Sequence, residues 1–164
     1  MDVNTKKRVR EYTKRLQDLY IQVKKWLAGR PVRFIDKDVN ITEMIPGVYQ
    51  APALEIRSDK DALMATLEPV GAWIIGALGR VDLKGKSETV NLLYLAKGGG
   101  SIHSKITTRG DEEKRSAPLF RGVEHDGWYW IENARLGRVR SLDAELFLDL
   151  LSEISDNEQR FATR

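Results

Sequence analysis

Apolar residues recur at Val9, Tyr12, Leu16, Leu19, Val23 and Trp26, with spacings that alternate between three and four. That is the a/d pattern of a helix burying one seam, and it predicts a helix over 4–28. Tyr20 and Leu27 widen the stripe toward the broader face that a helix turns to a sheet or bundle. Gly29 and then Arg30-Pro31 end it, because glycine readily takes the left-handed C′ conformation and proline cannot continue the helical hydrogen bonds.

Beyond a polar connection through Asp36-Lys37-Asp38 the period changes. Short segments rich in β-branched and aromatic residues alternate with Gly and Pro, which predicts strands over 48–57, 62–69, 72–75, 80–83, 89–96, 101–107, 119–124, 128–132 and 137–140. The gaps are too short for parallel crossovers, so neighbouring strands are expected to run antiparallel. Asp126-Gly127 reads as a hairpin turn joining 119–124 to the Trp128-Tyr129-Trp130 strand, with further turns at 76–79 and 84–87. Ser141 reads as an N-cap, with Asp143 and Glu145 in the first turn, where acidic groups complement the helix dipole. Leu142, Leu146, Phe147, Leu150, Leu151 and Ile154 then give the buried face of a closing helix over 141–155. The charged run 105–116 is expected as a loop tip, and the tail from Ser155 as a frayed end.

The fold class expected is therefore α+β in a single domain over 1–164. An N-terminal amphipathic helix, a curved antiparallel sheet of about seven to nine short strands over 48–140 and a C-terminal helix would pack around one core. A chain of 164 residues is long enough for this, since folding at that size buries roughly 70% of the unfolded surface.

Composition narrows the chemistry. With no cysteine there is no disulfide framework, no thiolate metal site and no cysteine nucleophile. Charged residues rather than an apolar stretch follow Lys6, Lys7, Arg8 and Arg10, so no secretory signal is expected. Runs such as Leu92-Leu93-Tyr94-Leu95-Ala96 are far below bilayer-spanning length, so a cytoplasmic protein with no membrane partner is expected. The net charge of +3 is unevenly spread: residues 1–33 hold ten basic against three acidic groups, a net +7, and the remainder 17 against 21, a net −4.

No HExxH, P-loop or GxSxG motif is present. The two histidines, His103 and His125, are isolated in sequence, and Gly98-Gly99-Gly100 precedes no helix that could bind an anion at its N-terminus. Glu55, Asp82 and Lys97 resemble in type the carboxylates and lysine of a metal-dependent nuclease, but Leu95 stands where the (D/E)xK pattern needs an acid. Asp59, Asp61, Asp111, Glu112 and Glu113 lack the glycine and terminal glutamate of a calcium loop. Glu68 and Glu132 are single carboxylates, read as outer strand residues. No catalytic residue, metal site or cofactor is therefore assigned.

Binding has more residues behind it. Lys6, Lys7, Arg10, Lys14 and Lys24 lie off the apolar seam, either as a solvated outer face or as a surface for phosphates. Alternation along 128–130 puts the two tryptophans on one face and Tyr129 on the other, so that Tyr129 is exposed if the tryptophans fill the core. The function expected is a non-catalytic protein-interaction domain, such as an adaptor or a neutralising, immunity-like protein. Its partner surface would be these five cations and Tyr129, and it could pair with its own copy through the seam of the first helix. The alternative is a nucleic-acid-binding accessory protein using the basic helix, and the third is a divergent metal-dependent hydrolase.

Overall fold

The computed structural model describes residues 1–108 and 111–155, with side chains for 1–100 and 119–155. Helix α1 spans Val3–Trp26 and is capped by Asp2, whose carboxylate accepts from the Thr5 backbone N–H at 2.7 Å. Among the described residues nine strands follow: β1 (Val32–Glu43), β2 (Gly47–Ser58), β3 (Leu63–Gly71), β4 (Gly79–Lys84), β5 (Thr89–Leu95), β6 (Ser101–Thr108), β7 (Asp111–Pro118), β8 (Gly127–Asn133) and β9 (Arg138–Ser141). Helix α2 (Ala144–Ile154) closes the order. Seven strands form one open antiparallel sheet in the order β1-β2-β3-β4-β5-β8-β9, while β6 and β7 pair only with each other.

The α+β architecture matches the apolar pattern. Tyr12, Leu16, Leu19, Tyr20 and Val23 are buried, and Gly29 takes a φ of +80° as the chain leaves the helix. The seam packs onto the protein's own sheet, in one core with Leu54, Ile56, Leu67, Val81, Leu83, Leu92 and Trp128, and α2 adds Leu146, Phe147, Leu150, Leu151 and Ile154. Trp26 meets Phe147 where the two helices touch, with ring centroids 5.5 Å apart. Because the seam is used here, it is not available to a second copy.

Several expected boundaries move, each for a local reason. The polar connection at 36–38 lies within β1, a twelve-residue edge strand registered along β2 from Val32↔Ser58 to Glu43↔Gly47. It lacks apolar alternation because much of it is solvated, and charges of this kind protect a sheet edge from pairing with another chain. Residues 72–75 are not a strand but part of the β3–β4 connection, with one isolated bridge between Ile74 and Ala77. Residues 119–124 are not a strand either. They belong to the connection from β7 to β8, so Asp126-Gly127 joins no hairpin, and β8 pairs with β5 and β9. Asp126 instead accepts from the Lys97 backbone N–H at 2.7 Å. Within the run 105–116, residues 105–108 lie in β6 and 111–116 in β7, paired antiparallel rather than forming a loop alone. The N-cap of α2 is Asp143, accepting from Leu146 N at 2.8 Å, rather than Ser141, which ends β9. The expectation of a frayed tail concerns 156–164, outside the described residues.

The opposite face of the sheet carries a second, smaller core of Ala77, Leu93, Leu95, Val123 and Tyr129, with Phe120 and Ile74 packed against it. Successive residues of β5 and β8 therefore serve different cores: Leu92 and Trp128 face the helices, while Leu93 and Tyr129 face away from them.

Candidate functional site

Glu43, the last residue of β1, organises one end of the molecule. Its carboxylate accepts the Tyr49 hydroxyl at 2.6 Å and the backbone N–H groups of Ala72 and Trp73 at 3.1 and 3.0 Å. The β1–β2 hairpin is thereby tied to the β3–β4 connection, and Gly71 is required beside it because a Cβ there would run into the carboxylate. Arg8 brings the start of α1 to the same place. Its guanidinium donates to the Ala72 carbonyl at 3.1 and 2.8 Å and lies 4.9 Å from the Trp73 ring centroid.

Large apolar side chains stand out into solvent from these tied segments. Met44 and Ile45, in a turn whose Ile45–Pro46 bond is cis, and Val48, at the start of β2, are exposed. Ile75, on the β3–β4 connection, is 89% exposed, and Val3, at the start of α1, is 79% exposed. Scattered single apolar residues need no explanation, whereas several on segments fixed to one another form a candidate interaction surface. Of the basic residues of α1, Arg8 is the one that reaches these segments.

The expected site residues divide. Lys6 and Arg10 are exposed and have no ion-pair partner among the described residues. Lys7 lies 3.9 Å from Glu11, and Lys14 3.3 Å from Asp18, each one helical turn on. Lys24 reaches across to Asp36 of β1 at 2.8 Å, at the mouth of a cleft of about 480 Å³ between α1 and the β1–β2 hairpin. Tyr129 is not an exposed contact residue. It is 2% exposed, with its hydroxyl donating to the His125 carbonyl at 2.8 Å. The expectation that one face of β8 must be open fails because both faces are covered. Trp128 is buried on the helix side, where its indole N–H donates to the Arg15 carbonyl at 3.2 Å.

Glu55, Asp82 and Lys97 do not converge. Glu55 lies on β2 opposite Thr66 of β3, whereas Asp82 lies on β4 opposite Glu68 of β3. Asp82 pairs with Asn91 inside β5, whereas Lys97 lies two residues beyond the end of that strand. Each carboxylate is held by basic neighbours instead. Glu55 is ion-paired to Lys37 and to Arg57 at 3.0 Å, and Asp82 receives Arg80 at 2.9 and 3.0 Å. The Lys37 ammonium, with Arg57 assisting against the effect of burial, holds the Glu55 carboxyl below its ordinary range. No cluster of three metal-ligating side chains occurs among the described residues.

No family model, curated protein or solved structure matches the chain. The reading of the sequence missed Met44, Ile45, Val48 and Glu43. The available signal was the run Met44-Ile45-Pro46-Gly47-Val48, in which a turn dipeptide is flanked by large apolar residues where polar ones are usual.

Proposed function

We propose that this chain is a non-catalytic protein-interaction domain, an adaptor or neutralising protein, that engages its partner with the Met44, Ile45 and Val48 tip and the adjoining start of α1. The observation supporting this most directly is that the tip is solvent-exposed yet held in place through Glu43. Pre-organised apolar groups lose little conformational freedom on binding. Each such side chain contributes about 1.5–3 kcal/mol when fully buried, before the costs of association. Lys6 and Arg10, exposed on the same helix, favour a partner with acidic groups around its apolar pocket.

Photo-crosslinking tests the reading. With a photoreactive residue at position 44 or 48, a discrete host protein is expected to crosslink, and Ile45→Asp combined with Lys6→Glu should prevent its capture without shifting Tm. Position 60, in the exposed β2–β3 turn, serves as the control. Equal labelling from position 60, or no labelled protein, refutes the proposal. So does binding to anionic vesicles, which would assign the tip to a lipid surface, or a concentration-dependent dimer lost in Ile45→Asp, which would assign it to a second copy.

Nucleic acid along α1 is the second reading, favoured by the unpaired Lys6 and Arg10. It has less support because Glu11 and Asp18 partly neutralise the same helix and would repel phosphates. Binding of that kind would weaken steeply with salt and vanish on replacing Lys6, Lys7 and Arg10 by Glu.

A further inference from the structure

The turn between β8 and β9 gathers positive charge. Arg121, Arg135 and Arg138 line a concavity of about 350 Å³ together with Leu136. None of the three guanidiniums has a carboxylate partner among the described residues, although carboxylates neutralise many of the other cations. Three like charges facing one hollow repel one another, and solvent screens this only in part. The backbone that carries them is fixed.

Four features fix it. Arg121 donates its backbone N–H to the Gly137 carbonyl at 2.9 Å, and an isolated parallel bridge sets it beside Arg138. Gly137 closes the turn through its N–H to the Ala134 carbonyl at 3.2 Å, and the Asn133 side chain accepts from Leu136 N at 3.1 Å. Gly137 has a φ of +64° and its Cα abuts the Leu119 backbone, where an added Cβ would sit 2.5 Å from the carbonyl oxygen. Only glycine serves at this point, and it lets the 119–121 segment lie against the turn and deliver Arg121.

We propose that this hollow binds the phosphoryl group of a small phosphorylated ligand. Guanidinium is a planar fork whose paired N–H groups match the oxygens of phosphate, and three such forks can share one tetrahedral oxyanion. The volume exceeds what a bare phosphate needs and falls at the lower end of small-molecule sites, so an organic body accompanies the phosphate. Leu136, 55% exposed at the wall of the hollow, gives that body an apolar surface. The hollow includes no residue of the Met44–Val48 tip in its lining. It does not depend on the function proposed above.

Isothermal titration calorimetry of the full chain at fixed ionic strength, with inorganic phosphate and adenosine diphosphate as probes, tests this. Saturable one-to-one binding of adenosine diphosphate is expected, tighter than that of phosphate. Arg121→Gln, Arg135→Gln and Arg138→Gln should each weaken it about tenfold or more, the loss of one charge-assisted contact. Lys60→Gln removes the same charge elsewhere and should leave affinity unchanged. Arg135 lies in the exposed turn, so its variant decides the matter if the other two do not fold. The absence of saturable binding by either probe refutes the proposal, as does equal weakening in Lys60→Gln.

Discussion

Replacing Glu43 by Gln should destabilise the protein almost as much as replacing it by Ala, although Gln is nearly isosteric. The reason is the direction of the three hydrogen bonds. One carboxylate oxygen, Oε2, receives the Tyr49 hydroxyl and Ala72 N–H, while Oε1 receives Trp73 N–H. A carboxylate is acceptor-only and serves all three donors. In Gln either position could hold the amide nitrogen, and in both cases that nitrogen would face a backbone N–H. Ala72 is fully buried, so its N–H cannot turn to water if it loses its acceptor.

Bonds to a charged acceptor are worth about 1.5–3 kcal/mol each, but Trp73 is half-buried and can recover a water, so the three do not sum. The expected cost is about 3 kcal/mol for Glu43→Ala and about 2 kcal/mol for Glu43→Gln, a fall in Tm of about 5–10 °C for a domain of this size. Urea unfolding at pH 7 with linear extrapolation measures it, and an unchanged m-value would show that the loss belongs to the native state. Glu43→Gln within about 0.5 kcal/mol of the parent protein would refute the acceptor argument.

Two other outcomes follow from the core. Burial pushes the hydroxyls of Tyr12 and Tyr20 well above the ordinary tyrosine range, so the folded state keeps protons that the unfolded chain releases above pH 10. Their contribution is complete below pH 10 and is lost as pH rises, at up to about 2.7 kcal/mol per pH unit for the two together. Comparing Tyr20→Phe with the parent protein from pH 8 to 11.5 isolates one share, and parallel curves would contradict it. Leu16→Asp puts a carboxylate at a fully buried seam position, so circular dichroism should show loss of the fold rather than a folded monomer. A folded Leu16→Asp protein would mean that the seam is not core.

The parts of the fold that were legible in the sequence are those where periodicity reports burial. Tyr12, Leu16, Leu19 and Val23 repeat because a helix must present one face to the sheet, and α2 announces itself the same way. β1 was hidden because an edge strand need not alternate, and its Asp36 and Lys37 are satisfied by Lys24 and Glu55, which are distant in sequence. Segment 119–124 looked like a strand because Phe120 and Val123 are apolar, but they are apolar to cover the outer core rather than to extend the sheet. The Arg121, Arg135 and Arg138 cluster was likewise illegible, since it is made by the backbone join at Gly137 rather than by any spacing in the chain.

The distribution of unsatisfied chemistry follows from how the sheet is covered. The helices close one face, and around β5 and β8 the second core closes the other. On strands β2 to β4 the remaining outer surface neutralises itself: Lys37 and Arg57 hold Glu55, Lys84 holds Glu68 at 2.9 Å, and Arg80 holds Asp82. Glu68 and Asp82 stand directly opposite each other in the register, a like-charge pairing that would be unfavourable if each did not have its own cation. Each of these carboxylates is therefore balanced within the sheet by a cation of its own or a neighbouring strand. Groups whose bonding is incomplete are left at the ends of the strands. There the Met44–Val48 tip is exposed, and Arg121, Arg135 and Arg138 line one hollow, which is why both proposals fall at the strand ends.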